Sequence, residues 1–139
     1  MITLKEYLTA SGDHPERENS EELTQELLDN AGVLLDKVNN FLNELKDIET
    51  IAGTQSVSSG FRPSDVNKSI PGAALHSNHM ICKAIDLKDK DGSLDEAVGK
   101  HPELLRKYGL WREDPSSTPN WCHLDYAVRA DRPSRTFHP

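Results

Sequence analysis

The fold of this chain is decided by the stretch Ser77-Asn78-His79-Met80-Ile81-Cys82-Lys83-Ala84-Ile85-Asp86, which holds a histidine and an aspartate seven residues apart. Side chains alternate between the two faces of a strand, so residues at this odd spacing cannot share one face of a strand. A turn must therefore lie between His79 and Asp86. After that turn, residues 83–87 are typical of a short buried strand that carries Asp86 near its end.

A second strand is expected in the stretch Trp121-Cys122-His123-Leu124-Asp125. Strand alternation puts Trp121, His123 and Asp125 on one face, and Cys122 and Leu124 on the other. The second strand therefore offers another histidine and another carboxylate on a single face.

His79, Asp86 and His123 form a candidate metal-ligand set. Two imidazoles and one carboxylate suit a catalytic zinc ion, which takes three protein ligands and keeps its fourth position for water. Such an ion lowers the pKa of that water to about 7 and polarises a carbonyl group, as peptide hydrolysis requires. For His79 and Asp86 taken alone, a hydrogen-bonded histidine and a solvated or capping aspartate is the commoner explanation.

The residues before this set extend the pattern. Upstream lies Ser58-Ser59-Gly60-Phe61-Arg62-Pro63-Ser64-Asp65-Val66-Asn67, and a loop rich in Gly, Ala and Ser at residues 71–77 leads into His79. The order of these motifs resembles the M15 family of zinc peptidases. The family pattern is an S-G-Y-R-like strand end, then S-x-H-x-x-G-x-A-x-D, then a W-x-H-like strand. It is met over roughly residues 20–127 by Ser59, Gly60, Phe61 and Arg62, by Ser77, His79, Ala84 and Asp86, and by Trp121 and His123.

The resemblance implies both a chemistry and a substrate. The family comprises D-alanyl-D-alanine carboxypeptidases and dipeptidases, and phage L-alanyl-D-glutamate endopeptidases that cut the stem peptides of peptidoglycan. It implies that His79, Asp86 and His123 bind Zn²⁺.

Three further residues take expected roles from the same resemblance. The family has a cationic residue at the position of Arg62, facing the active site, where it could stabilise an oxyanion or hold a substrate carbonyl through a charge-assisted hydrogen bond. A surface ion pair is the alternative for Arg62. Ser77 resembles the family serine that contacts substrate, although it could instead cap its loop. Trp121 is expected on the substrate side, where it shields the metal site.

The chain departs from the family pattern at two positions. Cys82 stands where the pattern has glycine, so a positive φ at this position would be strained. Asn120 stands three residues before His123, where well-studied relatives carry a Glu or Asp that acts as the general base. An amide cannot accept the proton. Either another carboxylate has taken the role, or the chain binds metal without fast catalysis.

Three nearby carboxylates could replace the missing base. Glu113 and Asp114 follow the apparent strand at residues 110–112, and the loop at residues 115–119 must lead back to the site. Asp125 shares a strand face with His123, but it could equally orient a ligand imidazole. Glu113 is the preferred candidate, because its length suits proton transfer and Asp125 has this second explanation.

Composition narrows the class of protein. A chain of 139 residues is expected to form one domain with one core. The formal net charge of -7 argues against nucleic acid as a partner. The sequence has neither an apolar run long enough to span a membrane nor the apolar core of a secretory signal. We therefore expect a monomer that meets peptidoglycan through phage lysis, from the host cytoplasm, or as part of a virion.

The two cysteines have competing interpretations. Cys82 and Cys122 each adjoin a candidate ligand, so a Cys2His2 zinc site is the rival to the set above. The usual short knuckle between two cysteines is absent, and alternation points Cys122 away from His123. Both are expected to be small buried residues without a disulfide.

The hydrophobic pattern predicts an α+β fold, in which a small antiparallel sheet carries the zinc site and packs against a long N-terminal helix and short helices. A lead-in at residues 1–19 precedes Ser20, a candidate N-cap for a helix of roughly 25 residues marked by apolar residues from Leu23 to Leu45. The first strand is expected at residues 53–61, and short helices at residues 94–98 and 102–108. An extended tail along the surface is expected at residues 128–139.

Two hypotheses of different class follow. The first is a zinc-dependent peptidase, of the endolysin or virion-associated type, that hydrolyses an amide bond in peptidoglycan stem peptides. The alternative is a non-catalytic module that keeps the zinc for folding or to hold a muropeptide, as Asn120 suggests.

Overall fold

Residues 1–9 and 15–139 are described by this computed structural model. Residues 10–14 of the expected lead-in lie outside the described residues. The lead-in includes helix α1 (Leu4–Thr9) and a 3-10 helix (Pro15–Asn19).

The long helix α2 (Gln25–Ile48) is the largest element and matches the predicted amphipathic segment. Its apolar residues recur at steps of three and four, so one face is buried. The buried side chains are Ala31, Leu34, Leu35, Val38, Phe41, Leu42 and Leu45. The prediction of Ser20 as its N-cap was wrong: the Thr24 side chain accepts a hydrogen bond from the Leu27 backbone N–H at 3.3 Å. The Ser20 side chain instead accepts a hydrogen bond from the Glu22 backbone N–H at 3.2 Å in the preceding turn.

Five short strands form one sheet: β1 (Val57–Ser59), β2 (Ala84–Lys88), β3 (Trp111–Glu113), β4 (Trp121–Asp125) and β5 (Thr136–Phe137). Their order across the sheet is β1-β2-β4-β3-β5. Every pairing is antiparallel except that of β3 with β5, which is parallel. The predicted α+β architecture is confirmed.

The two faces of the sheet have different surroundings. Ile85 and Leu87 of β2, with Cys122 and Leu124 of β4, join the core that contains the buried face of α2. The opposite face carries Asp86 and His123. The sheet therefore shields the polar residues from the helix layer and leaves them on its other side.

Short helices complete the fold: α3 (Ser64–Ser69), α4 (Ser93–Gly99) and α5 (Pro102–Lys107), with 3-10 helices at Asn78–Ile81 and Pro115–Ser117. The tail differs from a surface-bound extension, because Thr136–Phe137 form β5 and Arg135 is buried. The Arg135 guanidinium lies 4.1 Å from the centre of the Trp111 ring and its Nε donates to the Leu110 carbonyl, which docks the tail on β3.

Candidate active site

The expected turn between His79 and Asp86 is a single 3-10 helix followed by a left-handed residue. Ser77 caps this helix by accepting a hydrogen bond from the His79 backbone N–H at 3.2 Å. Cys82 then has φ 58 and ψ 34, and β2 begins at Ala84. Cys82, at the position of the family glycine, therefore has a positive φ, and its side chain is buried.

Three side chains converge on the polar face of the sheet. One ligand atom each from His79, Asp86 and His123 can be chosen so that all three lie within 4.8 Å of one another. His79 Nε2 lies 3.3 Å from Asp86 Oδ2, and His123 Nδ1 lies 2.8 Å from Asp86 Oδ1. Asp86 and His123 meet because they are direct cross-strand partners in the β2–β4 register.

Each imidazole is oriented by a hydrogen bond on its outer nitrogen, which is the ring nitrogen that points away from the cluster. His79 Nδ1 lies 2.9 Å from the Gly60 carbonyl oxygen, and His123 Nε2 lies 2.8 Å from Asp125 Oδ2. A proton on each outer nitrogen leaves His79 Nε2 and His123 Nδ1 free to bind a cation, as is usual for metal-ligating histidines. The donor set and its supporting bonds therefore fit a metal ion.

The same contacts shift the pKa values of the cluster. Burial raises the pKa of Asp86, but the nearby His79 and the hydrogen bond with His123 outweigh it and hold that pKa well below its usual range. Burial lowers the pKa of His79. Burial also acts to lower the pKa of His123, but the hydrogen bonds with Asp125 and Asp86 prevail and raise it to about 10. A metal ion at Nδ1 replaces a proton there, so binding is coupled to proton release.

A comparison with models of known protein families identifies the family of this chain. The model of the family described as Peptidase M15 matches residues 17–125, which is more than half of the chain. The chain belongs to the M15 peptidase family. This confirms the resemblance read from the sequence, and M15 peptidases are metallopeptidases. A search of curated proteins and a search of solved structures each found no match.

Arg62 lies beside the candidate metal-ligand cluster of this M15 peptidase, with its side chain 11% exposed. Its Nη2 donates to Asp86 Oδ2 at 3.2 Å and its Nε to Ser59 Oγ at 2.9 Å. Nη1 lies 3.5 Å from Asn67 Oδ1. The guanidinium has five N–H groups, so these three bonds leave donors for another acceptor.

Glu113 comes nearest to the cluster among the three candidate bases. Its Oε2 lies 3.9 Å from His123 Nδ1, because β3 lies beside β4 in the sheet. Burial raises the pKa of Glu113. Within residues 1–9 and 15–139, no hydrogen bond to its carboxylate is present.

The other two candidate carboxylates, those of Asp125 and Asp114, accept hydrogen bonds from neighbouring residues. Asp125 is completely buried and accepts hydrogen bonds from His123, Ala127 and Arg129. Asp114 caps the 3-10 helix that follows it by accepting from the Ser116 backbone N–H at 2.9 Å. These contacts suit Asp125 for orienting the His123 ring and Asp114 for capping a helix.

Asn120, at the sequence position of the family base, lies in an exposed turn. It has φ 75, a left-handed conformation that asparagine tolerates better than most residues. It is exposed and lines a cavity of about 510 Å³ together with Asp89, Asp95 and Arg112. Trp121 follows it, half-buried, at the start of β4.

The sequence did not single out three contributors to the site. The Gly60 carbonyl orients His79, Asn67 contacts Arg62, and Arg129 holds Asp125. Arg129 stands four residues after Asp125, which is a common spacing for an ion pair, but outside a helix that spacing has no fixed geometry. Cys82 and Cys122 are both buried free thiols, as expected, and neither belongs to the metal-ligand cluster.

Gly60→Ala should destabilise the protein. A Cβ at Gly60 would lie 1.9 Å from the Tyr7 carbonyl oxygen, so α1 or the end of β1 would have to move. Overpacking of this kind costs roughly 1–3 kcal/mol, and a backbone obstacle places the cost at the upper end of that range. Thermal unfolding measures the change. Gly53→Ala is the control, because its Cβ would have nothing within 4 Å. Equal stability of the two variants would contradict the prediction.

Proposed function

We propose that this M15 peptidase is a zinc-dependent enzyme that hydrolyses an amide bond in the stem peptides of peptidoglycan, as a phage endolysin or a virion-associated peptidase. The observation that carries the proposal is the convergence of His79 Nε2, Asp86 and His123 Nδ1, with the outer nitrogen of each imidazole already bonded to an oxygen.

The donor set favours zinc among the common metals. Two imidazole nitrogens and one carboxylate are typical of catalytic zinc sites, whereas calcium and magnesium sites are built from oxygen ligands. When bound, the ion supplies a Lewis acid for the scissile carbonyl and activates water for attack.

The proposed work of the surrounding side chains follows from their contacts. Glu113, with a free carboxylate near the cluster, accepts a proton at Oε2 from the attacking water and returns it to the leaving amine. Arg62 directs its remaining N–H groups at the carbonyl oxygen, where negative charge develops. Asp125 orients His123. Ser77 and Trp121 are proposed to contact substrate at the edge of the site.

The proposal predicts release of peptides from purified peptidoglycan. Protein purified without chelator should carry zinc and liberate fragments whose masses and new termini, read by mass spectrometry, identify the bond that is cut. The metal-stripped protein should release none, and added Zn²⁺ should restore release. Zinc-loaded protein at high concentration that releases no peptide would contradict the proposed activity.

One observation favours a second candidate function. The base position of the family is occupied by Asn120, an exposed turn residue that lines a separate cavity. This supports a non-catalytic module that keeps zinc for folding or to hold a muropeptide. Such a module would bind muropeptides without releasing fragments, so a binding measurement on the same zinc-loaded protein separates the two functions.

The cellular setting is also part of the proposal. Among the described residues, no helix is both long enough and apolar enough to cross a membrane. We propose a monomer that acts on peptidoglycan from the host cytoplasm at lysis or as part of a virion, without a nucleic-acid partner. The formal net charge of -7 supports the last point.

A further inference from the structure

The C-terminal segment (residues 126–139) begins where the family match ends, yet it returns to the candidate active site. Its strand β5 pairs in parallel with β3, so Phe137 lies opposite Glu113. The Phe137 ring meets the His123 ring edge-on, with 5.7 Å between the ring centres and an angle of 76° between the planes. This segment therefore forms a wall of the site that the family match does not include.

Arg129 links the C-terminal segment to the metal-ligand cluster. Its Nη1 donates to Asp125 Oδ1 at 2.6 Å and its Nη2 to Asp125 Oδ2 at 3.1 Å, so the pair is bidentate. The Arg129 guanidinium also lies 3.6 Å from the centre of the Phe137 ring. A bidentate contact with a carboxylate and a close contact with an aromatic face therefore hold this guanidinium, and the centre of the Trp111 ring lies 5.5 Å from it.

The bidentate pair matters because Asp125 bonds the ring of His123. A planar fork with two parallel N–H groups fixes both the position and the rotation of a carboxylate, which a single ammonium group does not. Asp125 Oδ2, fixed in this way, sets the direction in which His123 Nε2 must point. The opposite nitrogen, Nδ1, is thereby aimed at Asp86.

We infer that Arg129 is a positioning residue for the metal site, and that the C-terminal segment contributes Phe137 to hold it in place. Contacts run from Phe137 to Arg129, then to Asp125, then to His123. The inference rests on the proposed function only in taking His123 as a metal ligand. It concerns metal affinity and geometry, so it is independent of whether the protein cuts peptidoglycan.

The test compares zinc affinity among variants of the full chain. Arg129→Gln removes the charge and the fork, and it should weaken zinc binding about 10–100-fold, as loss of a residue that orients a ligand does. Arg129→Lys keeps the charge without the fork and should recover part of the loss. Competition with a chromophoric chelator gives the dissociation constants.

Arg132→Gln is the matched control. Arg132 is exposed in the same segment, and its one side-chain hydrogen bond to a described residue runs from Nη1 to the Thr136 carbonyl oxygen, at 3.4 Å. Its loss removes the same charge without touching Asp125, so zinc affinity should stay within about twofold of the parent.

A second readout separates positioning from general loss of structure. In the Co²⁺-substituted protein, the visible absorption bands should change in Arg129→Gln and stay as in the parent in Arg132→Gln. If Arg129→Gln does not fold, Arg129→Lys takes its place with an expected loss of about tenfold. Parent-like affinity and spectrum in the folded Arg129 variant would overturn the inference, and so would an equal loss in Arg132→Gln.

Discussion

His79→Ala should abolish both zinc binding and hydrolysis. The change removes one of three protein ligands and leaves an incomplete site, so zinc content should fall from about one ion per chain to a trace. Elemental analysis of protein purified without chelator gives the content. Because the proposed zinc ion would bind only the folded state, a chelator should lower the melting temperature of the parent and leave that of the variant unchanged.

His76→Ala is the control for this experiment. His76 lies three residues earlier in an exposed part of the loop, so its removal should leave zinc content and the response to chelator as in the parent. A His79→Ala protein that kept full zinc occupancy would rule out His79, Asp86 and His123 as the ligand set.

The elements that the sequence predicted well are those with a local signal. Apolar residues at steps of three and four marked α2 over most of its length, a short buried segment marked β2, and alternation assigned the faces of β4. The N-cap of α2 was missed because Ser20 and Thr24 both offer a side-chain oxygen near the start of the pattern. The choice between them depends on how the preceding turn closes, which propensity alone does not determine.

Contacts between distant parts of the chain could not be predicted in the same way. The sequence put Asp86 and His123 on strands, but it could not give the register that makes them cross-strand partners. β5 has only two residues, too few for any periodicity, so the tail carried no strand signal. The contact of Phe137 with His123 depends on that strand and therefore could not be predicted from the sequence.

The departures from the family pattern were visible in the sequence, but their structural reasons were not. Cys82 has a left-handed backbone at the position of the family glycine, with its thiol completely buried. Asn120 also has a positive φ. The structure thus gives Asn120 a local role as a turn residue, and it brings another carboxylate, that of Glu113, to the ligand cluster from β3.

Glu113→Gln should reduce turnover by roughly 10²–10⁴ while leaving the zinc content intact. Glutamine keeps the size of the side chain but cannot accept a proton. Glu113 suits the role because its Oε2 lies 3.9 Å from His123 Nδ1 and its carboxylate accepts no hydrogen bond from the described residues. Steady-state rates of peptide release, with zinc measured in the same samples, test this expectation.

Variants of two neighbouring carboxylates show how loss of a base differs from loss of an orienting or capping residue. Asp125→Asn disturbs the bonds to His123 and Arg129, so it should weaken zinc binding about 10–100-fold as well as slow the reaction. Asp114→Asn alters a cap and a contact with the exposed His138, and its turnover should remain close to that of the parent. Full turnover in zinc-loaded Glu113→Gln would exclude Glu113 as the base. Because turnover itself excludes the non-catalytic function, that result would move the role to another group, and the rates of Asp125→Asn and Asp114→Asn would show whether either carboxylate takes it.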